Sequence, residues 1–427
     1  MNNRWSPRCL RPSMAWFSLG IVLSAASGFA FTETIPEGET ELPGELIFVE
    51  SVPLETDLDL ADIPEARDVW PAMIAAARQS LDIATFYFSP RPDGPGALTP
   101  VIEALTAAAD RGVRIRALSD LGFNGTYPET SALIAELPGA ASRCLDAKGL
   151  WGGVLHAKCF VVDGTEFFLG SQNWDWRALE HIHELGVRVR HPGLTAQLVR
   201  IFNLDWRLAA GAQLTMPQAG PDQGETTFTL LCRGEPVTAT LAASPPQALP
   251  AGIPWDEPLL VALADGASHT LRLQLLSYNP GARNDADGEY YATLESALER
   301  AAVRGVQVRI ILSNWAKRHY MLPHIQKLAA LDNIEIRFTN IPAWSGGFVP
   351  YARVEHAKYL VADEAACWIG TANWSRSYFH TSRNLSLFLR GNAATRDPIA
   401  FFDRSWNSKY AEVVDPDGRY EPPRIGE

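Results

Sequence analysis

LHAKCFVVDGTEFFLGSQNW, residues 155–174, returns as EHAKYLVADEAACWIGTANW at residues 355–374. Both segments contain His-Ala-Lys, an Asp five residues after the Lys, and a final Gly-Ser/Thr-x-Asn-Trp. Each is rich in β-forming residues on both sides of the Asp, which predicts a strand, a tight turn and a returning strand. Two copies of one unit can face each other across a pseudo-twofold axis. The repeat therefore predicts two equivalent halves whose motifs meet in one cleft.

The repeat extends beyond these segments. SLDIATFYFSP (80–90) corresponds to TLRLQLLSYNP (270–280), and ALTAAADRGVRIRALSD (104–120) corresponds to ALERAAVRGVQVRIILSN (297–314). Each half thus reads as a strand, a helix that a Gly terminates, and a second strand. Helical crossovers between strands favour parallel pairing with helices on both faces of the sheet. The sequence predicts an α/β fold of two pseudo-symmetric halves, each a mainly parallel sheet flanked by helices, which share one active-site cleft.

Length and charge limit the possible functions. The chain has 427 residues, which suits two domains or one duplicated fold, and its net charge is −12. An acidic protein is a poor candidate for coating nucleic acid through bulk charge, although a small basic pocket remains compatible with it. The sequence has no C-x-x-C motif and no zinc-ligand spacing, so no metal or other cofactor is expected.

Residues 1–30 resemble a secretory signal peptide. Three Arg residues precede an apolar run over residues 14–26, and Gly28-Phe29-Ala30 offers a cleavage site of small residues. We therefore expect a secreted or periplasmic protein. An uncleaved N-terminal anchor, with the catalytic part outside the cytoplasm, is the alternative.

The remaining chain divides at a segment rich in Pro, Gly and Thr. This segment, residues 211–254, is predicted to be a linker that contains one short strand pair. It separates an N-terminal half, residues 31–210, from a C-terminal half, residues 255–427.

The duplicated motif supplies side chains suited to a phosphodiester. The candidates are His156, Lys158, Asn173, His356, Lys358 and Asn373. Ammonium groups and amide donors stabilise the oxygens of a phosphoryl transition state. One imidazole can attack phosphorus while the other protonates the departing oxygen. We expect the lysines to supply the positive charge that a metal supplies elsewhere.

Other motif residues have two possible roles. Asp163 and Asp363 could be general bases, but their position at a strand turn favours structural hydrogen bonding. Ser171 and Thr371 have no base beside them in the sequence, so we interpret them as supporting hydroxyls.

Glu184 lies eleven residues after the first motif Asn, and the equivalent position in the second half is Asn384. A carboxylate there could orient an imidazole and raise its basicity. An exposed Glu at a strand end is the alternative. If the first reading holds, only one imidazole has a charged partner from this position, and the two halves differ chemically.

The complete pattern H-x-K-x4-D-x6-G-[ST]-x-N, present twice, resembles the signature of the phospholipase D superfamily. The segments around both motifs look like the branch that contains the animal lysosomal acid 5′-exonucleases. The resemblance implies two α/β halves with a shared active site. It also implies that His156 is the nucleophile that becomes phosphohistidine, and that His356 is the general acid and base. The branch acts on single-stranded nucleic acid from the 5′ end and also performs lipid transphosphatidylation.

Three functions follow as hypotheses. The first is a metal-independent 5′-exonuclease on single strands, with Trp174, Trp374 and Tyr378 as candidate substrate contacts, since aromatic rings stack on bases. The second is a phospholipase D or phosphatidyl-transferase, whose membrane-facing candidates are the linker and the loop WSGGFVPY (344–351). The third, a non-catalytic phosphate-binding protein, fits poorly with two complete motifs. No obligatory protein partner is inferred, and a homodimer is possible.

Overall fold

The computed structural model describes residues 44–214, 226–281 and 290–426, which belong to one compact unit. The predicted leader, residues 1–30, and residues 215–225 of the predicted linker lie outside the described residues. Within the described ranges, no helix combines the length and the apolar character that crossing a bilayer requires.

The strands of the described chain are β1 (Gly44–Ser51), β2 (Ser80–Ala84), β3 (Phe88–Ser89), β4 (Arg114–Asp120), β5 (Ala141–Leu145), β6 (Cys159–Val162), β7 (Glu166–Gly170), β8 (Trp174–Asp175), β9 (Glu184–Arg190), β10 (Thr227–Cys232), β11 (Glu235–Ser244), β12 (Thr270–Leu275), β13 (Gln307–Ser313), β14 (Ile334–Thr339), β15 (Tyr359–Ala362), β16 (Ala366–Gly370), β17 (Asn384–Arg390) and β18 (Ala411–Val413).

Its α-helices are α1 (Ala66–Ala76), α2 (Thr99–Asp110), α3 (Leu121–Asn124), α4 (Glu129–Ala135), α5 (Ala147–Trp151), α6 (Trp176–Glu180), α7 (Pro192–Leu208), α8 (Asp256–Asp265), α9 (Thr293–Val303), α10 (Leu322–Ala329), α11 (Arg376–His380) and α12 (Ala393–Trp406). Short 3₁₀ helices cover Pro246–Ala248 and Asn314–Lys317.

Sixteen of these strands form one continuous sheet in the order β18-β14-β13-β12-β15-β16-β17-β11-β10-β1-β9-β7-β6-β2-β4-β5, and β3 pairs with β8. The α/β architecture with two related halves is confirmed. Each half, however, has a mixed sheet rather than a mainly parallel one. Within each half, the parallel pairs of this sheet are β2-β4-β5 and β12-β13-β14, where helices cross over. The motif strands are hairpins, and a tight turn can only join antiparallel neighbours.

The predicted linker supplies the middle of the sheet. It contains the expected strand pair, β10 and β11, which are antiparallel to each other. Strand β11 pairs along its length with β17, just as β1 pairs with β9 in the first half. Strand β10 runs parallel to β1 and so connects the two halves. Hydrogen bonds across these strands therefore make the two sheets one.

Helices cover both faces of the sheet. Helices α7 and α12 pack on one face in a single apolar core that draws residues from both halves, including Leu198 and Phe402. On the other face, α1 and α2 cover the first half and α8, α9 and α10 cover the second. Gly112 and Gly305 have φ of 84° and 89° at the ends of α2 and α9, which confirms the predicted helix-terminating glycines.

The hairpin turns are tied to the strands beside them. Asp163, at the β6–β7 turn, accepts hydrogen bonds from the backbone N–H groups of residues 78, 79 and 80, where β2 begins. Asp363 accepts the three corresponding hydrogen bonds from residues 268, 269 and 270, where β12 begins. Both carboxylates therefore fix the register of a hairpin against its neighbouring strand.

Candidate active site

Each motif histidine lies against the backbone of the other half. The amide of His156 donates to the carbonyl of Arg383 at 2.9 Å, and the amide of His356 donates to the carbonyl of His183 at 2.8 Å. The histidines and lysines occupy the extended segments just before β6 and β15. The His-x-Lys part of each motif therefore precedes the strand in the chain and is not part of it. The two halves thus exchange backbone hydrogen bonds at the point where both motifs begin.

This exchange determines which side chains meet. Glu184 and Asn384 directly follow the two residues whose carbonyls receive those amides. Glu184 Oε2 lies 2.7 Å from His356 Nδ1, and Asn384 Oδ1 lies 3.1 Å from His156 Nδ1. Each imidazole is therefore oriented by the opposite half. One imidazole has a carboxylate partner and the other has a neutral amide.

The hydrogen bonds of Asn384 fix the tautomer of His156. Asn384 Nδ2 donates to the carbonyl of Tyr378 at 2.7 Å, so its Oδ1 is the acceptor. This oxygen receives the hydroxyl of Thr371 at 2.9 Å and the Nδ1–H of His156. The neutral ring of His156 then carries its lone pair on Nε2.

Glu184 is fully buried. Burial acts to raise its pKa, but His356 and Lys358 hold the pKa below its ordinary value. The carboxylate is thus ionised and accepts the Nδ1–H of His356. Ser171 has a supporting role: its hydroxyl donates to the carbonyl of Leu185 at 3.2 Å and accepts from the amide of the same residue at 3.2 Å.

The two lysines are buried beside the histidines. Lys158 Nζ donates to the carbonyl of His156 at 2.9 Å, and Lys358 Nζ donates to the carbonyl of His356. Burial and the neighbouring Lys358 hold the pKa of Lys158 well below its ordinary value. Burial lowers the pKa of Lys358 to about 7, against the attraction of Glu184. Glu184 is the carboxylate that attracts both buried amines. Because one negative charge cannot balance two ammonium groups, the site favours the binding of a further anion.

The imidazoles differ in their electrostatic surroundings. Burial, followed by Lys158 and Lys358, holds the pKa of His156 well below its ordinary value. Burial also lowers the pKa of His356, but Glu184 opposes that effect. A neutral His156 is suited to nucleophilic attack, and a His356 supported by a carboxylate is suited to carrying a proton.

Asn173 and Asn373 are 8% and 3% exposed. The Oδ1 atom of each is buried and has no hydrogen-bond partner among the described residues. Asn373 Nδ2 donates to the hydroxyl of Tyr378 at 3.2 Å.

Two predicted substrate contacts are wrong. Trp174 is 1% exposed and packs against Trp70, with ring centroids 5.1 Å apart. Trp374 is 2% exposed and belongs to the apolar core of the second half. Their position beside the motif asparagines suggested the cleft, but the rings point into the layer between sheet and helices. The third candidate, Tyr378, does lie in the cleft, with its ring edge-on to His156 at 5.0 Å.

A group of aromatic residues in the cleft escaped the sequence analysis. The ring of Phe86 lies 5.2 Å from His156 and 3.8 Å from Phe123. Phe123 is in turn parallel to Tyr127 at 6.4 Å. All three rings are partly exposed. The available signal was TFYF, which follows β2 at the end of a parallel strand, where sites in such sheets commonly form.

Comparisons with known proteins agree with this geometry. Residues 71–206 and 289–406 match the family described as "Cardiolipin synthase, PLD-like domain". The chain is 32% identical over 392 residues to "Phospholipase D Z" of Dictyostelium discoideum, covering 87% of this chain and 92% of that protein. It is 32% identical over 401 residues to "5'-3' exonuclease PLD3" of Homo sapiens, covering 87% of this chain and 81% of that protein.

Among solved structures, phosphatidylserine synthase from Haemophilus influenzae Rd KW20 superposes with a TM-score of 0.58 at 12% identity, covering 82% of this chain and 85% of that chain. This likeness supports the fold. The family match and the two relatives show that the chain belongs to the phospholipase D superfamily of phosphodiesterases.

Proposed function

We propose that the protein hydrolyses phosphodiesters without a metal, through a phosphohistidine on His156, and that its substrate is single-stranded nucleic acid attacked from the 5′ end. The observation that carries the mechanism is the unequal pairing of the two imidazoles. Asn384 leaves a lone pair on Nε2 of His156, and Glu184 favours a proton on His356.

The first step transfers a phosphoryl group. Nε2 of His156 attacks phosphorus, and the bond from phosphorus to the 5′ oxygen of the next nucleotide breaks. That oxygen takes the proton from Nε2 of His356. In the second step neutral His356 takes a proton from water, the water oxygen attacks phosphorus, and the N–P bond breaks. Both histidines return to their starting states.

The amines supply the charge that this mechanism needs. Lys158 and Lys358 are buried beside the two histidines, where the low effective dielectric strengthens their attraction for a phosphodiester anion. In the described part of the chain no group of three His, Cys, Asp or Glu side chains is arranged to hold a metal ion. We therefore expect full activity in EDTA.

The choice of nucleic acid is supported by the cleft. Phe86, Phe123 and Tyr127 form a row of rings that begins beside His156, and such rows bind unstacked bases. Bases in a duplex are already stacked and cannot use this row. The relatives named 5'-3' exonuclease favour the same substrate.

Phospholipid is the second candidate. Phe348 and Tyr351, on the loop 344–351, are 41% and 50% exposed, as expected of side chains that meet a membrane. The relative named Phospholipase D Z shares most of its length with this chain.

One experiment addresses mechanism and substrate together. The purified protein is incubated in EDTA with 5′-labelled single-stranded DNA, duplex DNA and phosphatidylglycerol vesicles. Preferred cleavage of the single strand supports the nuclease, and preferred cleavage of vesicles supports the phospholipase.

A denaturing quench at alkaline pH, which preserves the N–P bond, and peptide mapping then locate the covalent intermediate. We expect the adduct on His156 in the unmodified protein, none in His156→Ala, and normal labelling in the control His269→Ala, which removes an exposed histidine. An adduct on His356 would reverse the assigned roles. No adduct, with inversion at phosphorus, would exclude the two-step mechanism.

A further inference from the structure

A pocket of about 290 Å³ opens beside the candidate active site. Tyr378 forms the boundary: it lines the pocket, and its ring is also edge-on to His156 at 5.0 Å. Val154, two residues before this histidine, is a second lining residue. A group bonded to a phosphorus atom at His156 can thus extend past Tyr378 into the pocket.

Several polar groups line the pocket. Its lining includes the hydroxyls of Ser375, Ser377 and Ser382 and the amine of Lys148, and the described lining residues include no carboxylate. Hydroxyls and an amine suit a ligand with several oxygens and a negative charge. The volume is near the lower end for small-molecule sites, which begin at about 300 Å³, so the pocket suits one nucleotide-sized unit.

Larger side chains occupy the equivalent place in the described part of the first half. Subtracting 200 from the motif numbering relates Ser375 and Ser377 to Asp175 and Arg177. Arg177 and Asp175 form a buried ion pair at 2.6 Å, and Arg177 also donates to the hydroxyl of Tyr127 at 3.4 Å. The larger side chains occupy in one half the space that the serines leave free in the other.

Gly153 shows the same asymmetry. Its counterpart is Arg353, whose guanidinium donates to the carbonyls of Pro342 and Leu54 at 2.6 and 2.8 Å. A Cβ atom at Gly153 would overlap the carbonyl oxygen of Thr381, so no side chain can enter there. Small residues therefore line the cleft at its His156 end, whereas large, hydrogen-bonded side chains stand at the equivalent position.

We infer that this pocket binds the 5′-terminal nucleotide, the unit that stays on His156 after the first step. The inference rests on the proposed function. In that step the terminal nucleotide keeps its bond to phosphorus and the rest of the strand departs towards His356. Lys148, an exposed residue of the lining, faces a 5′-phosphate, and the serines bind sugar and base oxygens.

The size and lining of the pocket also bear on whether its occupant is a nucleotide or a lipid. A phospholipase D keeps the phosphatidyl group on its histidine while the head group departs. Two acyl chains require a long apolar channel, whereas this pocket is small and lined by hydroxyls, glycines and an amine. Its chemistry therefore fits a terminal nucleotide better than diacylglycerol.

The test fills the pocket with the residue that the first half uses. The Ser377→Arg variant is assayed with a 5′-phosphorylated single-stranded oligonucleotide and with methyl 4-nitrophenyl phosphate, whose retained group is only a methyl. We expect kcat/KM to fall about 100-fold for the oligonucleotide and much less, about threefold, for the small diester, because only the nucleotide needs the pocket. Thr106→Arg, on the exposed side of α2, is the matched control.

A second variant leaves the folded core untouched. In Lys148→Ala, the preference of kcat/KM for 5′-phosphorylated over 5′-hydroxyl oligonucleotides should fall about tenfold, a loss typical of one charged contact. Lys409→Ala removes an exposed lysine elsewhere and should keep the preference.

The outcomes distinguish the two proposals. Oligonucleotide cleavage that neither variant alters would reject the pocket and leave the proposed function standing. A Ser377→Arg variant that loses phosphatidylglycerol hydrolysis but keeps oligonucleotide cleavage would assign the pocket to lipid. An unmodified protein that cleaves the small diester but no oligonucleotide would reject the proposed function itself, and the nucleotide assignment with it.

Discussion

Glu184→Gln should convert the site from two unlike histidines to two similar ones. Glu184 Oε2 is 2.7 Å from His356 Nδ1, and both groups are buried. The glutamine keeps the shape of the side chain and an acceptor oxygen, but it removes the negative charge. The fold tolerates a neutral amide at this position, because Asn384 occupies the equivalent one.

The expected size follows from the charges. Two unit charges about 4 Å apart interact by about 4 kcal/mol at an effective dielectric of about 20. Glu184 also attracts Lys358, so part of this energy is shared. We therefore expect loss of the charge to disfavour the imidazolium of His356 by about 3 kcal/mol, which reduces its protonated fraction about 100-fold at a pH above the pKa that His356 has in the unmodified protein. The carboxylate of Glu184 stabilises the imidazolium. Its removal should therefore move the limb of the pH profile that reports the general acid to lower pH.

The assay compares leaving groups. For an oligonucleotide, whose departing alkoxide needs a proton, kcat should fall about 100-fold near neutral pH. For bis(4-nitrophenyl) phosphate, whose leaving group needs none, kcat should fall less than about fivefold. The matched control is Glu355→Gln. Glu355 directly precedes His356 in the sequence and is as buried as Glu184. Its Oε2 atom lies 2.7 Å from Nδ1 of His183, which is not a motif histidine. The loss of Glu355 should lower stability without a dependence on leaving group. Equal losses with both substrates in Glu184→Gln, or an unshifted pH profile, would refute the reasoning.

Three further predictions follow from the same structure. Because burial lowers the pKa of Lys358 to about 7, kcat/KM for an anionic diester should decline as the pH rises above that value, and a pH series in which the decline begins only near pH 10 would contradict this. Asp163→Asn keeps one acceptor oxygen, but it replaces the other with an NH₂ group and removes the charge that three backbone N–H groups face, so it should lower the free energy of unfolding by about 1–3 kcal/mol while kcat changes less than about twofold; a selective loss of kcat in denaturation-matched assays would instead make Asp163 catalytic. Burial raises the pKa of Glu50 from 4.5 to about 7, so its favourable contribution is complete below pH 4.5 and is lost as the pH rises through 7. Glu50→Gln should therefore gain up to about 3 kcal/mol relative to the unmodified protein between pH 4.5 and pH 8, and thermal melts with a constant difference across that range would exclude the effect.

The duplicated motif determined the fold without a structure. Hydrophobic periodicity, helix-terminating glycines and the repeat are local properties, so the sequence predicted two α/β halves that meet in one cleft. It also located the motif residues and the position, Glu184 against Asn384, at which the two imidazoles receive different partners. Secretion, cleavage of the leader and a homodimer stay predictions.

The tertiary structure decided how these parts combine. No spacing rule relates Glu184 to His356, 172 positions away, because their contact depends on the backbone exchange between His183 and the second motif. Trp174 and Trp374 looked like cleft residues in the sequence, but the direction of a side chain depends on how the sheet and helices pack around it.

The pocket beside Tyr378 shows the same limit. Serines and glycines carry little sequence signal, and the space they leave is defined by what surrounds them. Local patterns determined which residues could act on a phosphodiester. Which histidine receives a charged partner, and on which side a ligand can enter, were decided by contacts between segments far apart in the chain.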